Sequence, residues 1–248
     1  MKQKFLIASL ILLFLLASCS ANSSESDEKI AMEVITLHVS PTLAHWLPKV
    51  SACAEPITDF GIYVQIFPPE DLSLDEADII LRLGEPLEDD PYITVLGSEK
   101  ITLVAGREMA LSSISINSLK AIYAGKIKNW ANVSEIKDAG IEINQPIQVL
   151  SYPEGNEIIK LFSKNILETS ETSLHLQTFS SLEFFQILLD EYPFSIGYLL
   201  ESQVPDGVKT LSISDADSQI TQYYVLAVTD QEPEGVIRQL LLCLQNSK

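Results

Sequence analysis

Few residues in this 248-residue chain combine a reactive type with a useful spacing. The thiols are Cys19, Cys53 and Cys243, and the imidazoles are His38, His45 and His175. The histidines are scattered and no Cys/His cluster has zinc spacing, so no metal site is expected. There is no Gly-x-Ser-x-Gly, no His-Glu-x-x-His and no defensible Ser/His/Asp set. The chain therefore reads as a non-enzyme with no cofactor. Asp/Glu pairs are plentiful, but they lie in runs such as Glu88-Asp89-Asp90 that read as solvated surface.

Cys19 has a context of its own. Lys2 and Lys4 precede an apolar run from Phe5 to Ala17, and the run ends in Leu16-Ala17-Ser18-Cys19. The run is shorter than the roughly 20 residues that cross a bilayer. With basic residues before it, it reads as a cleavable signal peptide over 1–18. The ending resembles the lipobox of bacterial lipoproteins, in which small residues admit the peptidase and the thiol takes diacylglycerol. This implies an extracytoplasmic protein anchored to a membrane through Cys19. Ser20 to Lys29 contains no apolar side chain larger than alanine, as expected of a flexible tether over 19–30. Outside the cytoplasm Cys53 and Cys243 are able to pair, provided the ends of the chain pack together. The alternative is two buried free thiols.

The net charge of -18 sets an acidic field that repels nucleic acid and anionic membrane surfaces. It slows an approaching anion without forbidding a local site built of hydrogen-bond donors. The mature length suits one large domain or two small lobes.

Several elements are legible. Glu33 to Ser40 alternates in part and reads as a strand. Pro41-Thr42 opens a helix to about Ala52, with Leu43, Trp46, Leu47 and Val50 on one face. Strands are expected over 61–67, 77–83, 92–95 and 100–105, and again over 146–151, 194–200, 208–213 and 220–228. Helices are expected over 115–123, 155–167, from Ser180 or Ser181 to about 191, and over 233–245. Strands alternating with helices predict an α/β fold, a sheet covered by helices.

Five segments together are similar to the phosphate-binding proteins of ABC-type importers, within the type II periplasmic binding fold. The longest is Leu119-Lys120-Ala121-Ile122-Tyr123-Ala124-Gly125-Lys126-Ile127-Lys128-Asn129-Trp130. The others, in the family's order, are Ser40-Pro41-Thr42, Ala77-Asp78-Ile79-Ile80, Tyr152-Pro153-Glu154-Gly155-Asn156 and Ser195-Ile196-Gly197-Tyr198. The resemblance implies two lobes, each a mixed sheet covered by helices, with two crossings near Ala105 and Leu199. Lobe 1 would be 31–104 with 204–248, and lobe 2 would be 105–203. It implies a monomer that closes around a small-molecule ligand, an oxyanion or small polar solute, and serves an ABC transporter permease.

By the same resemblance the ligand loops are Ser40 with Thr42, and Tyr152, Gly155, Asn156 and Glu157. Backbone N–H groups at helix starts suit an anion. The second loop departs from the family, which has an arginine at the position of Tyr152 and a Ser-Gly-Thr run where Asn156, Glu157 and Ile158 stand. A bidentate clamp is thereby lost, and Glu157 brings negative charge to the place of the anion. Arg82 either compensates from the other lobe or pairs with a nearby acid. Tyr152, Asn156 and Trp46 would also suit a neutral or organic ligand, and each has a packing or capping alternative.

Overall fold

Alternation along Glu33–Val39 (β1) places Ile35, Leu37 and Val39 on one buried face. The structure, a computed structural model, describes residues 32–168, 176–215 and 221–247. The signal segment, Cys19, the tether and His175 lie outside them.

β1 pairs in parallel with Phe60–Ile66 (β2) on one side and Ile79–Gly84 (β3) on the other. The long strand Tyr92–Ala105 (β4) follows, then short Ser113–Ile114 (β5), Gln148–Ser151 (β6), Leu176–Thr178 (β7), Ser195–Leu200 (β8), Lys209–Ile213 (β9) and Gln222–Thr229 (β10). Among the described residues these make one mixed sheet in the order β2-β1-β3-β10-β4-β8-β6-β7, with β9 also on β4 and β5 on β9.

β4 serves both halves of this sheet. Tyr92 to Lys100 pairs antiparallel with β10, and Ile101 to Ala105 pairs antiparallel with β8. The expectation of two strands, 92–95 and 100–105, is corrected by this. The polar stretch between them is tolerated because Gly97 lies flat against the Trp46 ring and Glu99 finds three hydrogen-bond partners. Leu96 is the extra residue of a bulge opposite Val225 and Leu226.

Helices cover the sheet. A 3-10 turn over Pro41–Trp46 runs into Leu47–Ala54 (α1). Ile116–Tyr123 (α2) is capped by Ser115, and Ser134–Asp138 (α3) is a single turn. Glu157–Phe162 (α4) widens into a π turn, Ser163–Leu167, so the helix expected from 155 begins two residues later. Leu182–Glu191 (α5) is capped by Ser181. The last helix, Gly235–Asn246 (α6), begins after Pro233, with Glu234 at the cap.

The aromatic core fastens the second half. The Phe162 and Tyr198 rings stack with centroids 3.9 Å apart, and Trp130, fully buried, donates from Nε1 to the Phe194 carbonyl at 2.7 Å. α1 and α6 are joined by a disulfide between Cys53 and Cys243, Cα to Cα 5.7 Å. No helix among the described residues is long and apolar enough to cross a membrane.

Candidate ligand-binding cleft

In open α/β sheets ligands lie beyond the carboxyl ends of the strands. Ser40 and Thr42 follow β1, and Tyr152 to Glu157 follow β6, in the other half of the sheet. The two segments face each other across a cleft of about 400 Å³. Thr42, Tyr152, Gly155, Asn156 and Glu157 line it, with Pro69, Phe179 and Gln203. Ser40 lies behind Thr42 and is fully buried.

Glu157 is the central observation. It starts α4, yet only 6% of it is exposed. Its carboxyl group reaches across the cleft to the Ser40 and Thr42 hydroxyls and the Leu83 N–H. Burial pushes this carboxyl up to about 7, although Ser40, the Leu83 N–H, Thr42 and the Arg82 charge all pull the other way. The contacts are electrostatic rather than well-aligned hydrogen bonds. Ser40 Oγ, Thr42 Oγ1 and Glu157 Oε2 are each buried with no hydrogen-bond partner among the described residues. An unsatisfied buried polar group costs about 1–3 kcal/mol, so three at one spot mark a site rather than a packing detail.

The other candidate residues fall into place around it. Asn156 caps α4, its Oδ1 accepting from the Ile158 N–H at 2.8 Å. Gly155 adopts φ +92°, a left-handed region that favours glycine, and turns the chain into the cap. The Tyr152 ring packs against Phe179 at 4.5 Å, and burial raises its hydroxyl well above the usual phenol range. That hydroxyl has no hydrogen-bond partner among the described residues. Trp46 belongs to the core and donates to Glu99 Oε1 at 3.1 Å.

Arg82 on β3 stands beside an acid. Its guanidinium pairs with Asp90 and donates to the Glu85 carbonyl at 3.0 Å, and it reaches Glu157 only through its field. Asp90 is therefore not solvated surface, as its acidic run suggested: its side chain is 10% exposed, and it also accepts from the Leu87 N–H. An arginine on β3 needs an acid within reach, and the 84–90 turn delivers one.

A second polar cluster adjoins the cleft through Gln203, which lines it. Glu99 on β4 meets His45 Nε2 at 3.0 Å and accepts from Ser202 Oγ at 2.7 Å as well as from Trp46. Burial alone would raise this carboxyl; the bonds from His45, Ser202 and Trp46 outweigh it and hold it below its ordinary value. Gln203 Nε2 donates to His45 Nδ1 at 3.0 Å. Ser202 bonds to the acid and not to the imidazole, so the trio is not a nucleophile with its base. Sequence reading missed it because His45 and Ser202 stand 54 and 103 residues from Glu99. No group of His, Cys, Asp or Glu among the described residues could hold a metal ion.

No family model matches the sequence, and no curated protein matches it. Solved structures do match. An ABC-type phosphate transport receptor from Vibrio cholerae aligns over 86% of this chain and 94% of its own, with a TM-score of 0.69 and 16% identity. A putative phosphate ABC transporter substrate-binding protein with bound phosphate, from Clostridium perfringens, covers 86% and 93% at a TM-score of 0.69 and 17% identity. The regulatory domain of OxyR from Pseudomonas aeruginosa, in its reduced form, covers 87% and 98% at a TM-score of 0.58 and 16% identity. The chain has the mixed α/β architecture of the type II periplasmic binding proteins.

Proposed function

We propose that this chain is an extracytoplasmic solute-binding lipoprotein that captures a small polar molecule between two lobes and delivers it to an ABC importer. The observation that carries the reading is the cleft, in which segments from opposite halves of one sheet meet around a polar spot. In this reading 31–104 with 204–248 forms one lobe, 105–203 the other, and they close by a hinge motion. Lipid on Cys19 and the tether 19–30 would keep the body beside its membrane partner as a monomer.

The phosphate receptors of the same fold support a small oxyanion as the ligand, with Ser40, Thr42, Gly155 and Asn156 around it and Arg82 lending charge. A thermal-shift panel on the mature domain tests this. It includes phosphate, sulfate, molybdate, tungstate, amino acids and small sugars. A ligand at 100-fold excess over its Kd stabilises by about 2.7 kcal/mol, which is easily read. No shift with any solute sinks the transport reading.

One observation favours a second reading. Glu157 already stands among the donors an oxyanion would use. A relative that no longer transports, and acts as a sensory or assembly lipoprotein, would have that property. So would a binder of neutral or organic solutes held on Tyr152 and Asn156. A protein partner and a panel without response would mark the former, and a shift with an uncharged solute the latter.

A further inference from the structure

We propose that the donors at the carboxyl ends of β1 and β3 form an anion site, and that Glu157 fills it from within the chain, making it the residue that decides what the cleft accepts. The inference rests on the solute-binding reading only for the cleft being the place where ligand enters.

The donor set comes from one half of the sheet. It consists of the Ser40 and Thr42 hydroxyls, the Leu83 N–H and the positive field of Arg82. Every member favours negative charge. The acceptor comes from the other half, as the first residue of α4. Ser40 Oγ and Thr42 Oγ1 have no other partner among the described residues, so none of these uses the two hydroxyls. A hydroxyl rotates freely and donates when it faces a carboxylate. Glu157 thus occupies the space and meets the chemistry that a small carboxylate or other oxyanion would occupy and meet.

Two consequences bear on specificity. A free oxyanion reaches the Ser40 and Thr42 hydroxyls only by displacing Glu157, because the volume is taken and a second negative charge a few ångströms away is repelled. Removing the side chain leaves a polar hole of carboxylate size lined by donors. Such a hole is a binding site for formate or acetate.

The test uses the mature domain and sodium formate, acetate and phosphate as probes, at constant ionic strength and pH 8. In E157A, formate or acetate at ten-fold excess over its Kd is expected to raise Tm by about 4 °C. The wild-type Tm should not move. In E157A/S40A/T42V the response should vanish. An E157A domain indifferent to all three anions overturns the proposal. So does wild-type protein that binds phosphate as tightly as E157A does, although that result leaves the solute-binding reading standing. A wild-type shift with a neutral solute supports that reading, and the anion arms still decide this one. If E157A does not fold, a cycle with E157Q decides. T42V should lower the urea midpoint of wild type more than that of E157Q, and equal shifts overturn the proposal.

Discussion

Glu157 should make the stability of this protein fall as pH rises through neutrality. The perturbation is pH together with Glu157→Gln, which keeps the shape and removes the titration. The carboxyl rises from an ordinary value of 4.5 to about 7 in the folded state. The native state therefore holds the proton more tightly than the unfolded chain. This contribution is fully present below about pH 4.5 and is lost as pH climbs through about 7. At about 1.4 kcal/mol per pH unit, the loss across that window is about 3 kcal/mol. The charged neighbours are Arg82, paired with Asp90, and the exposed Lys160–Glu70 pair at 3.2 Å. Glu99 and Glu135 are held below their ordinary values, Glu135 at about 2, and they act oppositely. Their stabilisation is complete above about pH 4.5 and fails only in stronger acid, outside the window. Urea unfolding followed by circular dichroism at pH 5, 6, 7 and 8 reads the effect. The wild-type curve should drop relative to that of E157Q by up to about 3 kcal/mol, the ceiling being lowered if the cleft opens and lets water reach the carboxylate. Parallel curves for the two proteins would refute the reasoning.

Other perturbations have clear signs. Arg82→Met strands Asp90 in a nearly buried place and should cost about 3 kcal/mol in urea unfolding, most of it recovered in R82M/D90L. Replacing both Cys53 and Cys243 by serine removes a crosslink spanning 190 residues and should cost about 2–5 kcal/mol, with a lower Tm. Gly106→Ala would set a methyl 2.4 Å from the Pro193 carbonyl, where only backbone can yield, and should lower stability by about 2 kcal/mol or more.

What the sequence disclosed follows from the range of each signal. Alternation in β1 is local, so that strand was legible within a residue or two; the helix expected from Pro41 ends close to where it should, but its first six residues form a 3-10 turn and α1 begins only at Leu47. β5 and β7 hold only two and three residues, too few for a period to register. β4 read as two strands because Gly97, Ser98 and Glu99 break its apolar pattern. The partners that make Glu99 acceptable are remote, and a local reading could not supply them. At the cleft, Ser40, Thr42 and the 152–157 loop stood out as helix starts, and the misplaced negative charge of Glu157 was visible too. Its burial among donors from the opposite half was not, since that depends on how two segments more than a hundred residues apart meet. Arg82 had two partners open to it, and only the turn that brings Asp90 back toward β3 chose between them.

The bond between α1 and α6 has a consequence for chain cleavage. It turns everything from Cys53 to Cys243 into a covalent loop. A protease that cuts once anywhere in this loop frees no fragment, and the nicked molecule keeps its mass until a reductant is added. Damage to any surface turn within the loop therefore need not detach the pieces that line the cleft.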